Sequence, residues 1–323
     1  MSTDRLQVYT LTSDTVALEM INYGARTTAL KVLSHGQWRS VILARPDHRG
    51  YCIDSVSLGA MLGPVGGRIE NSYCCIDEMA VHLEPNDGDH QLHGGESGIG
   101  QLYWDVEVCE QGLDFSLQLP EGHGGYPAGL ALTCSVRLIE NGLSYTVNAR
   151  CTAPTLVNVT QHNYYCLGPA GSLPDHQLSL YVEDGFEVDS DRVATSTSFG
   201  LQQDRFNPDT DALVSDWLAT HRRRLAQLGG FDHYFYRSTS AMIQSEPSVI
   251  GSLTYDGLTL SISTDQPGVQ VYTRFGEDDT LEAICLEPQV VPNAINRDCL
   301  EDTILRPEQR YQWRSILKFS DHD

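Results

Sequence analysis

Basic residues are scarce in this chain: 21 Lys and Arg stand against 43 Asp and Glu, a formal net charge of −22. That excess opposes phosphate backbones and anionic membrane surfaces, so it argues against a nucleic-acid or membrane partner and, more weakly, against a phosphorylated small molecule. Its ordinary meaning is solubility. Long apolar runs are missing as well; nowhere do the ~18 consecutive apolar residues of a membrane span occur. The opening Met1-Ser2-Thr3-Asp4-Arg5 has no basic region followed by an apolar stretch, as a secretory leader would. Nine cysteines include the adjacent Cys74-Cys75, yet there is no CxxC pair and no Cys/His ligand spacing. Neither a disulfide framework nor a metal site is expected, and a reducing cytoplasm is the expected location. The formal sequon Asn158-Val159-Thr160 is then expected to be unmodified. Gly66-Gly67 and Gly94-Gly95 lack the Gly-Lys-Ser/Thr ending of a phosphate loop and are read as turn formers. No Pro/Gly/Ser-rich linker, low-complexity tract or short repeat divides the chain. Its 323 residues, 41% apolar, can bury one large core, and a single domain over residues 1–323 is expected.

What is present is alternation. Leu132, Cys134, Val136 and Leu138 share one face, Tyr145 and Val147 another, and Leu258, Leu260 and Ile262 a third. Period two marks half-buried strands. Turn signals such as Glu140-Asn141-Gly142 and Asp256-Gly257 separate them, which predicts antiparallel hairpins stacked as an all-β sandwich. One stretch differs: between Asp211 and Leu228, Leu213, Trp217, Leu225 and Leu228 fall at helical spacing beside His221-Arg222-Arg223-Arg224. A short peripheral helix with a solvated basic face is predicted there.

Chemistry is suggested first by Cys285-Leu286-Glu287-Pro288-Gln289-Val290-Val291-Pro292, where a carboxylate sits between apolar residues and two prolines. Loss of hydration there disfavours its charged form and lifts its pKa towards the range of a general base that can also return the proton. A partner is offered by Thr160-Gln161-His162-Asn163-Tyr164, since His donates and accepts near neutral pH. Gly63-Pro64-Val65-Gly66-Gly67-Arg68-Ile69 and Leu92-His93-Gly94-Gly95 add an Arg and a His beside glycines that permit close backbone approach. Taken singly, each of these has an ordinary structural reading, because buried polar groups usually just find partners.

Together, and in this order, they resemble the aldose 1-epimerase (galactose mutarotase) family. That family carries an Arg in a Gly-rich turn, a Leu-His-Gly-Gly turn followed by Trp, a Thr-x-His-x-Tyr strand and a Glu-x-Gln-x-x-Pro strand. Asn22-Tyr23-Gly24-Ala25, Trp104, Gly125-Tyr126-Pro127, Phe231-Asp232-His233 and the segment from Thr264 to Thr273, with Gln270, extend the likeness over most of the chain. The family's Arg turn reads Gly-Arg-x-Ala-Asn-Arg-Ile; here Pro64, Gly66 and Gly67 replace its first Arg, its Ala and its sugar-contacting Asn. Arg68 survives, a hydrogen-bonding group is lost at Gly67, and the preferred sugar is left open. Cys166 in place of Asn and Asn293 in place of Asp are read as packing and loop changes.

The resemblance implies a large twisted antiparallel β-sandwich of the galactose mutarotase-like type and an isomerase that needs no cofactor. It implies Glu287 as base at the anomeric hydroxyl, His162 as acid at the ring oxygen, and Arg68, His93, Asp232, Tyr164 and Gln270 as sugar-binding residues. The expected substrate is a free aldohexose such as galactose or glucose. Other readings stay open: a hexose 6-phosphate epimerase of the same fold, which needs basic residues at the pocket rim; a catalytically silent sugar binder; and a glycoside hydrolase, for which two carboxylates are the usual equipment. Assembly as a homodimer is also left open.

Overall fold

A computed structural model of the chain describes residues 5–110, 112–201, 212–225, 228–237, 245–297 and 303–322. Two large antiparallel sheets face each other. The first has nine strands, ordered Asp105–Cys109, Gly112–Leu119, Leu130–Ile139, Gly142–Cys151, Tyr311–Asp321, Leu258–Thr264, Ser248–Tyr255, Gln177–Leu180 and Ala212–Leu213. The second has six: Tyr164–Tyr165, Leu281–Gln289, Gly268–Phe275, Asp232–Tyr236, Asp184–Val188 and Ala194–Ser198. An N-terminal sheet of four strands runs from Val8–Thr12 to Gln37–Ser40.

The alternation read from sequence places the core. Leu132, Cys134, Val136, Tyr145, Val147, Leu258, Leu260 and Ile262 of the nine-stranded sheet pack in one buried cluster with Val269, Val271, Ile284, Leu286 and Phe235 of the six-stranded sheet. Each such side chain contributes roughly 1.5–3 kcal/mol on burial. Trp313 ties the layers, its indole N–H donating to the Pro288 carbonyl at 2.7 Å. Asp256 and Gly257 take φ of 48° and 75°, the two left-handed residues that a tight hairpin turn demands, and Tyr255 pairs with Leu258 across it.

A short helix forms within the stretch where the spacing predicts one. Helix covers Val214–Thr220 and Arg222–Leu225, interrupted at His221, while Leu213 lies in a short strand and Leu228 in a turn. Asp211 is outside the described residues. Trp217 and Leu225 are buried as the spacing predicts, and Arg222 and Arg223 are exposed.

His176 shows how the sandwich holds a polar group. Its Nε2 accepts the Leu167 N–H and its Nδ1–H donates to the Ser172 carbonyl, both at 2.9 Å, so the neutral ring is satisfied and burial pulls its pKa down to about 4. The unfolded chain binds a proton at about 6.5, where the folded one does not. Stability therefore falls as pH drops from 6.5 towards 4, by up to about 3 kcal/mol for this group at 1.36 kcal/mol per unit. The expected result is a shallower loss of melting temperature between pH 7 and pH 5 in His176→Asn than in the parent.

Candidate active site

The six-stranded sheet has one face in the core and one turned outward, and period two sorts its residues between them. Val269, Val271, Ile284 and Leu286 point inward; Gln270, Tyr272, Cys285, Glu287 and Gln289 alternate with them. Register completes the outward face: Gln270 pairs with Glu287, Tyr272 with Cys285, Asp232 with Tyr272, and Tyr164 with Cys285. His162 lies two residues before Tyr164. Over this face the Arg68–Ile69 and Gln91–Leu92 pair, the turn at His93 and residues 55–57 close a cavity of about 280 Å³. All seven side chains singled out from sequence, Glu287, His162, Arg68, His93, Asp232, Tyr164 and Gln270, line it.

At its floor, His162 Nε2 stands 3.7 Å from Glu287 Oε1, and the two side chains are 7% and 3% exposed. Glu287 Oε2 and His162 Nδ1 are buried with no hydrogen-bond partner among the described residues. Burial, and then the nearby Asp232 carboxylate, hold the Glu287 pKa well above the usual carboxylate range. Burial draws His162 down to about 4. A neutral imidazole beside a protonated carboxyl is the state that burial favours here.

His93, at a left-handed φ of 57°, stands edge-on to His162 with ring centres 5.5 Å apart. Its Nδ1 accepts the Gly67 N–H at 3.1 Å, which leaves the Nε2–H as a donor. Burial, His162 and Arg68 keep this ring neutral. Arg68 donates through Nε to Asp87 at 2.7 Å and lies 3.5 Å from Asp232, whose other oxygen accepts from Gln270 at 2.8 Å. Burial raises the Asp232 pKa against the opposing pull of Arg68.

Two details differ from a reading of side chains as free sugar ligands. The Tyr164 hydroxyl donates to the Val56 carbonyl at 2.6 Å, and its ring stacks on His162 with centres 4.9 Å apart. Its donor is spent on the backbone, and the ring holds the imidazole in place. At Gly67, φ is 79° and an added Cβ would meet Pro292 at 2.7 Å. Pro292 fills the space above this glycine. Asn293, at φ 61°, accepts the Glu70 N–H at 3.1 Å and so serves the loop; the buried Cys166 thiol faces the Gly168 carbonyl at 3.6 Å.

Sequence reasoning missed Tyr272, Gln289, Asp87, Pro292, Arg192 and residues 55–57, all of them lining residues. Tyr272 and Gln289 were within reach, each two positions beyond a chosen residue on the same strand. Pro292 closes the Glu-x-Gln-x-x-Pro motif but was not read as a lining residue; nothing local marked Asp87, Arg192 or residues 55–57.

A family model described as Aldose 1-epimerase matches residues 7–318. The chain belongs to the aldose 1-epimerase family. Membership makes it an isomerase acting on carbohydrates, one that interconverts the anomers of aldose sugars. The galactose mutarotase of Homo sapiens is 29% identical over 329 residues, covering 98% of this chain and 94% of that protein. The aldose 1-epimerase of Escherichia coli (strain K12) is 26% identical over 327 residues, covering 94% and 92%. The fold is that of an aldose epimerase homologue from C. elegans, with TM-score 0.85 at 22% identity over 98% of this chain and 100% of that one. Galactose 1-epimerase from Lactobacillus acidophilus NCFM gives TM-score 0.84 at 22% identity over 98% and 99%. Among the described residues no helix is long and apolar enough to cross a membrane, and no three His, Cys, Asp or Glu side chains converge as a metal site would need.

Proposed function

We propose that this chain interconverts the α and β anomers of a neutral aldohexose such as galactose or glucose, with Glu287 and His162 as its acid/base pair. The observation that carries the reading is that pair, buried 3.7 Å apart on the floor of a polar cavity. Ring opening needs a proton taken from the anomeric hydroxyl and one delivered to the ring oxygen. Glu287 as carboxylate takes the first, and His162 as imidazolium gives the second. The products are a protonated carboxyl and a neutral imidazole, the distribution that burial favours, so the site stabilises the open aldehyde form. Rotation about C1–C2 presents the other carbonyl face, and the same two groups, with roles reversed, close the ring. Arg68, His93, Asp232 and Gln270 hold the hydroxyls, because buried donors and acceptors left unpaired by a wrong epimer discriminate strongly.

The phosphorylated-substrate reading is the weaker one. The cavity mouth carries Asp87, Asp89 and Asp191 against Arg68 and Arg192, and Arg68 is already paired with carboxylates. A rim of this charge repels a phosphate dianion.

The test is anomer interconversion followed by polarimetry or proton NMR from freshly dissolved α-galactose, α-glucose and other aldoses, against a no-enzyme control. Faster approach to the ordinary anomeric equilibrium is expected. No acceleration for any free sugar would overturn the reading, and hexose 6-phosphates would then be assayed. The pH profile checks the proton bookkeeping. A second proton enters the pair at His162 near pH 4, and the first leaves Glu287 well above the carboxylate range. The plateau of kcat/KM is therefore expected to span neutral pH and to fall on the acid side only below about 5. An acid limb centred at 6.5 or higher would refute that distribution.

A further inference from the structure

The strands Asp184–Val188 and Ala194–Ser198 form a hairpin at the edge of the six-stranded sheet, and its tip hangs over the cavity mouth. Asp189 builds the tip. Its carboxylate accepts the N–H groups of Asp191 and Val193, both at 2.9 Å, and its carbonyl accepts the Arg192 N–H at 3.1 Å. The turn forces Arg192 to φ 64°, a conformation that a Cβ disfavours. Two other lining residues, Ser57 and His93, share the left-handed region, but among the described non-glycine residues there only Arg192 carries a long flexible side chain. Strained backbone of this kind persists where surrounding structure enforces it, and it gathers at ligand sites.

The guanidinium so presented makes no hydrogen bond or ion pair among the described residues. It borders both the main cavity and an outer chamber of about 360 Å³ at the mouth, and its charge is felt at Asp232 and Tyr272 on the neighbouring strands of the same sheet. His90 Nε2 on the facing lip lies 3.7 Å from the Asp191 carboxylate of the tip. The outer chamber also holds Asp87, Asp89 and Asp191, so its charge suits neutral hydroxyls rather than an anion.

We propose that Arg192 is a specificity-determining residue that donates from the hairpin tip to hydroxyls of a neutral aldose, on the side of the ring turned towards Asp232 and away from the anomeric oxygen. A planar guanidinium can bridge two neighbouring oxygens of a ring, which fixes orientation as well as affinity. This inference rests on the sugar-isomerising reading above and sharpens its substrate side.

The test uses two variants of the full chain. Arg192→Met keeps much of the length and loses the donors; Arg192→Gly also loses them but relieves the backbone. For the best free sugar, both are expected to raise KM about tenfold while kcat stays within about threefold. With monodeoxy analogues of that sugar, the KM ratio of Arg192→Met to parent is expected to collapse towards one for the analogue lacking the contacted hydroxyl. An unchanged KM in either variant, or a ratio equal across every analogue, would overturn the inference. So would a KM for a hexose 6-phosphate below that of the free hexose and raised by Arg192→Met, because the recognised group would then be an anion. Calorimetric binding of galactose in a Glu287→Gln background separates the two levels of argument. Absent turnover by the parent sinks the isomerase reading, whereas an unchanged galactose Kd on adding Arg192→Met sinks the role of Arg192.

Discussion

Glu287→Gln is expected to slow anomer interconversion by ~10²–10⁴ while leaving the fold intact, the usual size of a lost general base. The amide is nearly isosteric with the carboxyl. It also matches the neutral form that burial already favours at this position, with the side chain 3% exposed and one oxygen unpartnered among the described residues. Removing the ability to ionise should therefore not destabilise the protein. The folded pKa of Glu287 lies above the unfolded value, so the parent is stabilised by its protonated form at low pH and loses that contribution as pH rises through the folded pKa. Gln has no such loss, and Glu287→Gln should melt at or above the parent temperature in the alkaline range. Turnover by polarimetry and melting curves at pH 6 and 9 measure both halves. Activity within a few-fold of the parent in a folded Gln variant removes Glu287 from the mechanism. His162→Asn should cost a similar factor, and the double variant little more, because the two groups act as one unit.

Asp54→Ala should destabilise the protein by roughly 3–5 kcal/mol, the range for orphaning a buried charge. Arg26 is wholly buried, and Asp54 Oδ2 accepts from it at 2.9 Å and from the Leu58 N–H at 2.7 Å. Arg45 reaches the other oxygen at 2.5 Å. Burial alone would raise the Asp54 pKa, but these bonds outweigh it and hold the carboxylate below its usual range. The arrangement matters for the site because residues 55–57 form one cavity wall and the Val56 carbonyl holds Tyr164, which stacks on His162. Denaturant unfolding of the single variant, and of Arg26→Met with Asp54→Leu, separates charge orphaning from lost packing. The double variant is expected to lose less than Asp54→Ala; an equal or greater loss would mean that the pair is needed for its shape.

Much of the core was readable because period two is a local property of a strand. The faces assigned from Leu132 to Leu138 and from Leu258 to Ile262 depend only on alternation, and the Asp256-Gly257 turn only on backbone conformation. The short helix was legible but its ends were not, because the apolar spacing continues past His221, where the chain turns, to Leu228, which lies in a turn. Apolar spacing does not register a departure from helical backbone angles such as the ψ of 11° at His221. The chosen site residues could be named because they sit in short motifs whose glycines, prolines and polar groups are themselves sequence features. Tyr164 shows the limit: the motif contains a tyrosine, but that its hydroxyl is bound to Val56 depends on a segment 108 positions away.

Sequence by itself determined the strand faces, the acidic charge, the residue types for proton transfer and the family, since each follows from residue identity and order along one chain. Tertiary structure alone decided that residues 68, 93, 162, 232, 270 and 287 meet in one cavity, that Pro292 covers Gly67, and that a strained tip holds Arg192 over the mouth. Those facts rest on strand register and on burial, and burial is what lifts Glu287 and lowers His162. No residue carries its own dielectric environment; the packing of distant segments supplies it.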